Sequence, residues 1–89
     1  MEVAVRVQDP SGAVTKDVVL RAQDANTVRD LIEVLVDVME WPRTALGGEP
    51  LVYRVRRSGE TEPLDEEALV VSLNLTQGQT LVLGPQRNS

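Results

Sequence analysis

DANTVRDLIEVLVDVMEWP, Asp24 to Pro42, is the one stretch whose apolar spacing stays helical over enough length to bury a continuous face. Val28, Leu31, Leu35 and Val38, with Ile32 and Met39 interleaved, recur at steps of three, four and seven and form one wide stripe. Thr27 stands just before the stripe with Asp30 three residues on. This is an acidic form of the capping box, in which the hydroxyl accepts from an otherwise unpaired N–H of the first turn. Pro42 disfavours helical geometry at Trp41, which sets the helix end near Glu40. Val28, Val34, Val36 and Val38 are stiff at χ1 and poor helix formers, so their use says that burial outweighs propensity. Such a helix needs a sheet to lie on.

Upstream, Glu2 to Gln8 reads EVAVRVQ, with Val3, Val5 and Val7 on one face and Glu2, Arg6 and Gln8 on the other, a period of two that predicts a strand. Asp9-Pro10-Ser11-Gly12 supplies a turn, and Val14 to Ala22 follows as a second strand with Val18, Leu20 and Ala22 on its inner face. Downstream, Gly47-Gly48 and Pro50 punctuate a loop. A third strand is expected over Leu51 to Arg56, with Leu51, Tyr53 and Val55 facing the core and Val52, Arg54 and Arg56 facing out. Glu60 to Glu67 is acidic, with Leu64 as an anchor, and Ala68 to Leu75 alternates less regularly. After the turn Thr76-Gln77-Gly78-Gln79, a final strand covers Thr80 to Leu83, with Leu81 and Leu83 inward and Val82 outward. Residues 84–89, Gly84-Pro85-Gln86-Arg87-Asn88-Ser89, read as a flexible polar tail to a single domain over 1–83.

The 89 residues are enough to bury about 60–65% of the unfolded surface, so the expected stability is modest, roughly 4–13 kcal/mol. There is no cysteine and no histidine, which removes disulfides, thiolate metal sites, the best nucleophile and the commonest general base. No cofactor is expected, and the inventory argues against an enzyme. The net charge of −5 disfavours nucleic acid and anionic lipid, and no run is apolar enough to insert in a membrane. Met1 leads straight into a strand pattern, so the chain is expected to be cytoplasmic.

Strand, strand, helix, strand, short strand or turn, strand is an α+β order. VVLRAQDANTVRDLIEVL (Val18 to Leu35) and SLNLTQGQTLVL (Ser72 to Leu83) resemble the helix entry and the closing strand of ubiquitin-like β-grasp proteins. The resemblance runs from Val3 to Leu83 and implies a mixed four- to five-stranded sheet with one main helix packed across it. Within that superfamily, VLVDVMEWPRTALGG and LNLTQGQTLVL look most like the YukD/EsaB-type proteins and the EccD N-terminal domain of bacterial type VII secretion. That likeness implies a non-enzymatic docking or accessory component that binds a protein partner.

Two surfaces stand out. Val52 and Val82 are expected to form an exposed apolar spot rimmed by Arg54 and Arg56 on the open sheet face, where ubiquitin-like proteins resemble one another in binding partners. Asp30, Glu33, Asp37 and Glu40 align along the helix at steps of three, four and three, either as a solubilising face or as a second surface for a basic partner. An acidic side and a basic edge on one domain can also support weak self-association. Two alternatives stay open: a regulatory subunit of a larger enzyme, and a covalent modifier or sulfur carrier, although LGPQRNS lacks the Gly-Gly pair of such tails.

Overall fold

The computed structural model describes residues 2–21 and 23–86. β1 (Glu2–Gln8) and β2 (Thr15–Arg21) are followed by α1 (Val28–Met39), β3 (Tyr53–Arg57), a single 3-10 turn (Val70–Leu73) and β4 (Gln79–Pro85). The sheet order is β2-β1-β4-β3, with β1 parallel to β4 and the two outer pairs antiparallel. The expected α+β architecture is therefore present as a four-stranded mixed sheet with one helix across it.

The β1–β2 turn is held by Asp9. Its carboxylate accepts from the Val14 N–H (3.1 Å) and the Ser11 hydroxyl (2.7 Å), and Gly12 takes φ +77°. These donors, Ser11 foremost, hold the Asp9 carboxyl below its ordinary value. The alternating valines of β1 and Val18 and Leu20 of β2 are buried with Val55, Leu81 and Leu83 under the helix.

The capping box is complete: Thr27 Oγ1 accepts from the Asp30 N–H, and the Asp30 carboxylate accepts from the Thr27 N–H at 3.2 Å. The first-turn N–H groups of Val28 and Arg29 donate to the carbonyls of Ala68 and Glu66, so the 66–68 segment is fastened to the helix entrance. On α1 the buried set is Val28, Leu31, Ile32, Leu35, Val36 and Met39, whereas Val38 is only half-buried. At roughly 100° per residue Val36 lies nearer than Val38 to the middle of the stripe, which corrects the expected face by one residue. The helix ends at Glu40 in a left-handed turn (φ 57°), and the Lys16 ammonium donates to the Val38 carbonyl at 3.0 Å. That cation offsets the unfavourable charge of Glu40 at the negative end of the helix.

Three boundaries differ from expectation. Residues 43–51 form a small hairpin, with Ala45 N–H to Glu49 carbonyl at 2.8 Å and Leu51 N–H to Arg43 carbonyl at 2.8 Å, so β3 begins at Tyr53 rather than Leu51. The irregular 68–75 stretch is a 3-10 turn closed by left-handed Asn74. β4 runs to Pro85, with Gly84 and Pro85 opposite Arg54 and Tyr53, so the first two residues of the expected tail belong to the sheet. Ala22 and tail residues 87–89 lie outside the described residues. Trp41 packs against the core with its ring stacked on Tyr53 at 5.6 Å, and the Tyr53 hydroxyl donates to the Pro42 carbonyl at 2.7 Å.

Candidate functional site

Strand alternation sends Arg6 and Gln8 of β1, Asp17 and Val19 of β2, Arg54 and Arg56 of β3, and Thr80 and Val82 of β4 to the face opposite α1. Among the described residues no helix covers this face. Its most built feature is a shallow depression of about 190 Å³ over Val82, rimmed by Arg54 and Arg56 and walled by Pro10, Pro63 and Pro85.

The structure thus brings Arg54, Arg56 and Val82 together, with two corrections. Val82 is 7% exposed, a floor and not an open apolar spot. In the sheet register Val82 lies between Gln8 of β1 and Arg56 of β3, and beside it the β1–β2 turn lays Pro10 over the end of β4 so closely that a Cβ on Gly84 would lie 2.5 Å from Pro10 Cγ. Val52 does not join Val82. It precedes β3, gives its carbonyl to the Gln86 N–H (2.7 Å), and lines a different groove beside α1 with a half-exposed side chain. Arg57 also leaves the basic group, because alternation turns it to the side of Leu81, where its guanidinium donates to the Leu73 carbonyl.

The two remaining rim arginines are positioned by what they touch. Arg54 Nε donates to Gln86 Oε1 at 3.1 Å, and its terminal nitrogen pairs with Glu66. Arg56 donates to the Glu60 carbonyl at 2.9 Å. Arg6 is held by Asp17 at 3.2 Å. The prolines were invisible as site residues in the sequence, where each reads as a turn or breaker. The available signal was that they come in three separate polar connections, all of which can converge on one end of a sheet.

The acidic helix stripe is arranged differently from an open docking face. Asp30 serves the capping box, and the backbone N–H of Thr27, then that of Asn26, hold its carboxyl below the ordinary value. Glu33 and Asp37 both accept from Arg43, whose guanidinium is raised by those hydrogen bonds, Asp37 first. Glu40 lies 3.9 Å from the Lys16 ammonium. The sequence reading missed Arg43 because a residue just past Pro42 need not return to the helix. Among the described residues, no group of three or more carboxylates could hold a metal ion, and no helix is long and apolar enough to cross a membrane.

No family model matches the sequence, and no curated protein matches it. Solved structures do. The chain is similar to the ubiquitin-like domain of Plasmodium falciparum Dsk2 at 17% identity and a TM-score of 0.68, covering 97% of this chain and 100% of that one. It is similar to Caldiarchaeum subterraneum ubiquitin at 14% identity and 0.66, covering 100% and 99%. A chain of the toluene 4-monooxygenase HD complex with the inhibitor 4-bromobenzoate matches at 15% identity and 0.72, covering 97% and 100%. At these identities the likeness shows the fold, which is ubiquitin-like.

Proposed function

We propose that this ubiquitin-like chain is a non-enzymatic protein-interaction module that presents its open sheet face to a partner. One observation carries the reading: the uncovered face holds an apolar floor at Val82, proline walls, and an arginine rim at Arg54 and Arg56. Arginine rims suit a partner that inserts an apolar side chain and flanks it with carboxylates, because the guanidinium offers paired donors and the stem offers packing area. Val52 lies outside this cluster, and the acidic residues Asp30, Glu33, Asp37 and Glu40 form at most a subsidiary surface. The finer placement, as a cytoplasmic accessory or docking component of a bacterial type VII secretion system, rests on the likeness of VLVDVMEWPRTALGG and LNLTQGQTLVL to the YukD/EsaB and EccD type.

A second reading, a small subunit of a larger enzyme, is favoured by the monooxygenase match. This chain spans the whole of that one, so a chain of about this size and fold is part of an enzyme complex there. The modifier alternative gains nothing from Gly84, which lies within β4 opposite Arg54 beneath Pro10.

The test is co-purification from the native host followed by native mass spectrometry, repeated with Arg6→Glu plus Arg56→Glu and separately with Asp37→Lys plus Glu40→Lys. Loss of the partner in the sheet-face variant, with retention in the helix variant, is the expected result. The reverse pattern puts the interface on the helix. A secretion-machine component among the captured proteins supports the finer placement, and a catalytic subunit supports the second reading.

A further inference from the structure

The sheet ends in two outer strands, and they are treated differently. On β3 the Leu64 N–H donates to the Val55 carbonyl at 2.8 Å, whereas β2 has β1 as its single neighbour. The Asp9 N–H donates to the Val14 carbonyl, and the backbone of Ala4 bonds Gly78 and the Gln77 side chain, so odd residues of β1 face β2 and even residues face β4. The register then bonds Lys16, Val18 and Leu20 to β1 and turns the N–H and C=O of Thr15, Asp17, Val19 and Arg21 outward. Arg21 is closed off, because its N–H donates to the Asp24 carboxylate and its carbonyl accepts from the Asp24 N–H, both at 3.0 Å. Thr15, Asp17 and Val19 are exposed, and their backbone groups have no intramolecular partner among the described residues.

We propose that β2 pairs antiparallel with β2 of a second copy, about a two-fold axis at Asp17, to make one continuous eight-stranded sheet. The open row selects this occupant because it is symmetric. Asp17 then faces its own copy and Thr15 faces the second copy's Val19, so three residue pairs exchange six hydrogen bonds and no open group is left over. An axis at Val18 would set Thr15 against the closed Arg21 and leave its groups unpaired. The Asp17 axis also lays Val19, 52% exposed, against the methyl group of the second copy's Thr15. One contact opposes the pairing: the two Asp17 carboxylates lie opposite each other, each held by its own Arg6 at 3.2 Å. Because β2 is at the far end of the sheet from β3, pairing leaves Arg54, Arg56 and Val82 uncovered and puts two such depressions on one face. β4 and its copy are five strand spacings apart, about 24 Å, which suits a partner carrying two binding motifs. The pairing itself does not rest on the sheet-face reading.

A single strand pair is smaller than the ~1,000 Å² of stable interfaces, so the full chain is followed up to about 2 mM by sedimentation equilibrium and by amide spectra of isotope-labelled protein. The weight-average mass is expected to rise toward twice that of the monomer, with the Thr15, Asp17 and Val19 amides shifting and exchanging more slowly. Each copy carries a net charge of −5, so added salt should tighten the dimer, whereas docking of arginines on an acidic helix face weakens with salt. Asp17→Asn removes the like-charge pair and should tighten association about twofold to fivefold. Thr15→Pro removes two of the six bonds and should weaken association about tenfold with the melting curve unchanged, since proline is tolerated at the first residue of an edge strand. The chain has no cysteine, so mild oxidation reads the register. Asp17→Cys puts the paired Cα atoms about 5.5 Å apart, within disulfide reach, whereas Val19→Cys faces Thr15 and should cross-link about tenfold more slowly. A monomeric mass at about 2 mM for both the unsubstituted chain and Asp17→Asn, association that falls with salt, undiminished association of Thr15→Pro, or equal cross-linking of the two cysteine variants each overturns the proposal.

Discussion

Gly84→Ala tests the contact that turns the open sheet face into a walled site. The added Cβ would meet Pro10 Cγ at 2.5 Å and Cδ at 3.3 Å, whereas carbon atoms rest at about 3.5–4.0 Å. Gly84 does not sit at positive φ, so backbone strain at the glycine itself is not the issue. What must give is the proline, and its ring is part of the backbone of a turn fixed by Asp9 through the Val14 N–H and the Ser11 hydroxyl. Relief therefore means displacing the turn by about 1 Å, the kind of overpacking that costs roughly 1–3 kcal/mol. In a domain of this size each kcal/mol moves the melting temperature by roughly 4–8 °C. The assay is a double-mutant cycle by urea and thermal melts: Gly84→Ala alone, Pro10→Ala alone, and both. Removing the proline ring should restore most of what Gly84→Ala loses, giving a coupling energy above about 0.5 kcal/mol. A Gly84→Ala loss below that threshold, or a double variant no better than the sum of the singles, would falsify the claim that Pro10 is seated on β4.

Leu31→Ala and Leu35→Ala, both at fully buried positions, should each destabilise by about 2–5 kcal/mol, and denaturant melts losing less than about 1 kcal/mol would mean the helix face is misassigned. Val36→Ala should cost more than Val38→Ala in the same assay, because Val36 is buried and Val38 only half so. Lys16→Met should lose about 0.5–1.5 kcal/mol through the helix end it serves, with part of that difference fading at high salt. The Asp30 carboxyl is lowered in the folded chain, so its contribution is present above the unfolded value near 3.8 and lost as pH falls through the lower folded value. Asp30→Asn should accordingly flatten the acid limb of stability between those two values, and acid melts of the two proteins that stay parallel would contradict the capping role.

Short-range pattern carried most of the fold. The valines of β1 alternate without interruption, and Thr27 with Asp30 announces the helix entrance within four residues, so strand and cap were both readable. The features that shape the site depend on contacts between residues far apart in the chain. Pro10 meets Gly84, Arg54 meets Glu66 and Gln86, and Arg43 folds back onto Glu33 and Asp37. Alternation correctly sent Val82 to the outer face, but a period of two says only which way a side chain points, not whether a distant turn will close over it. Val52 failed for a related reason: it precedes β3, and although its carbonyl still accepts from the Gln86 N–H, its side chain lines the groove beside α1 instead of the outer face.

The choice between the two charged surfaces turns on which groups still have hydrogen-bonding capacity to offer. A guanidinium carries five N–H donors. Arg56 spends a donor on the Glu60 carbonyl, Arg6 spends one on Asp17, and Arg54 divides its contacts between Gln86 and Glu66, so each keeps further N–H donors. Glu33 and Asp37 instead share one arginine in a clamp, and Asp30 is committed to the backbone of its own cap. A basic partner at the helix meets Glu33 and Asp37 with one oxygen of each held by Arg43, and a further surface ion pair there adds about 0–1 kcal/mol. A carboxylate approaching the sheet face meets unspent donors beside an apolar floor, so the same charge contact comes with burial of apolar area. The chain is acidic as a whole, yet the face we propose for binding is the one where its arginines stand above Val82.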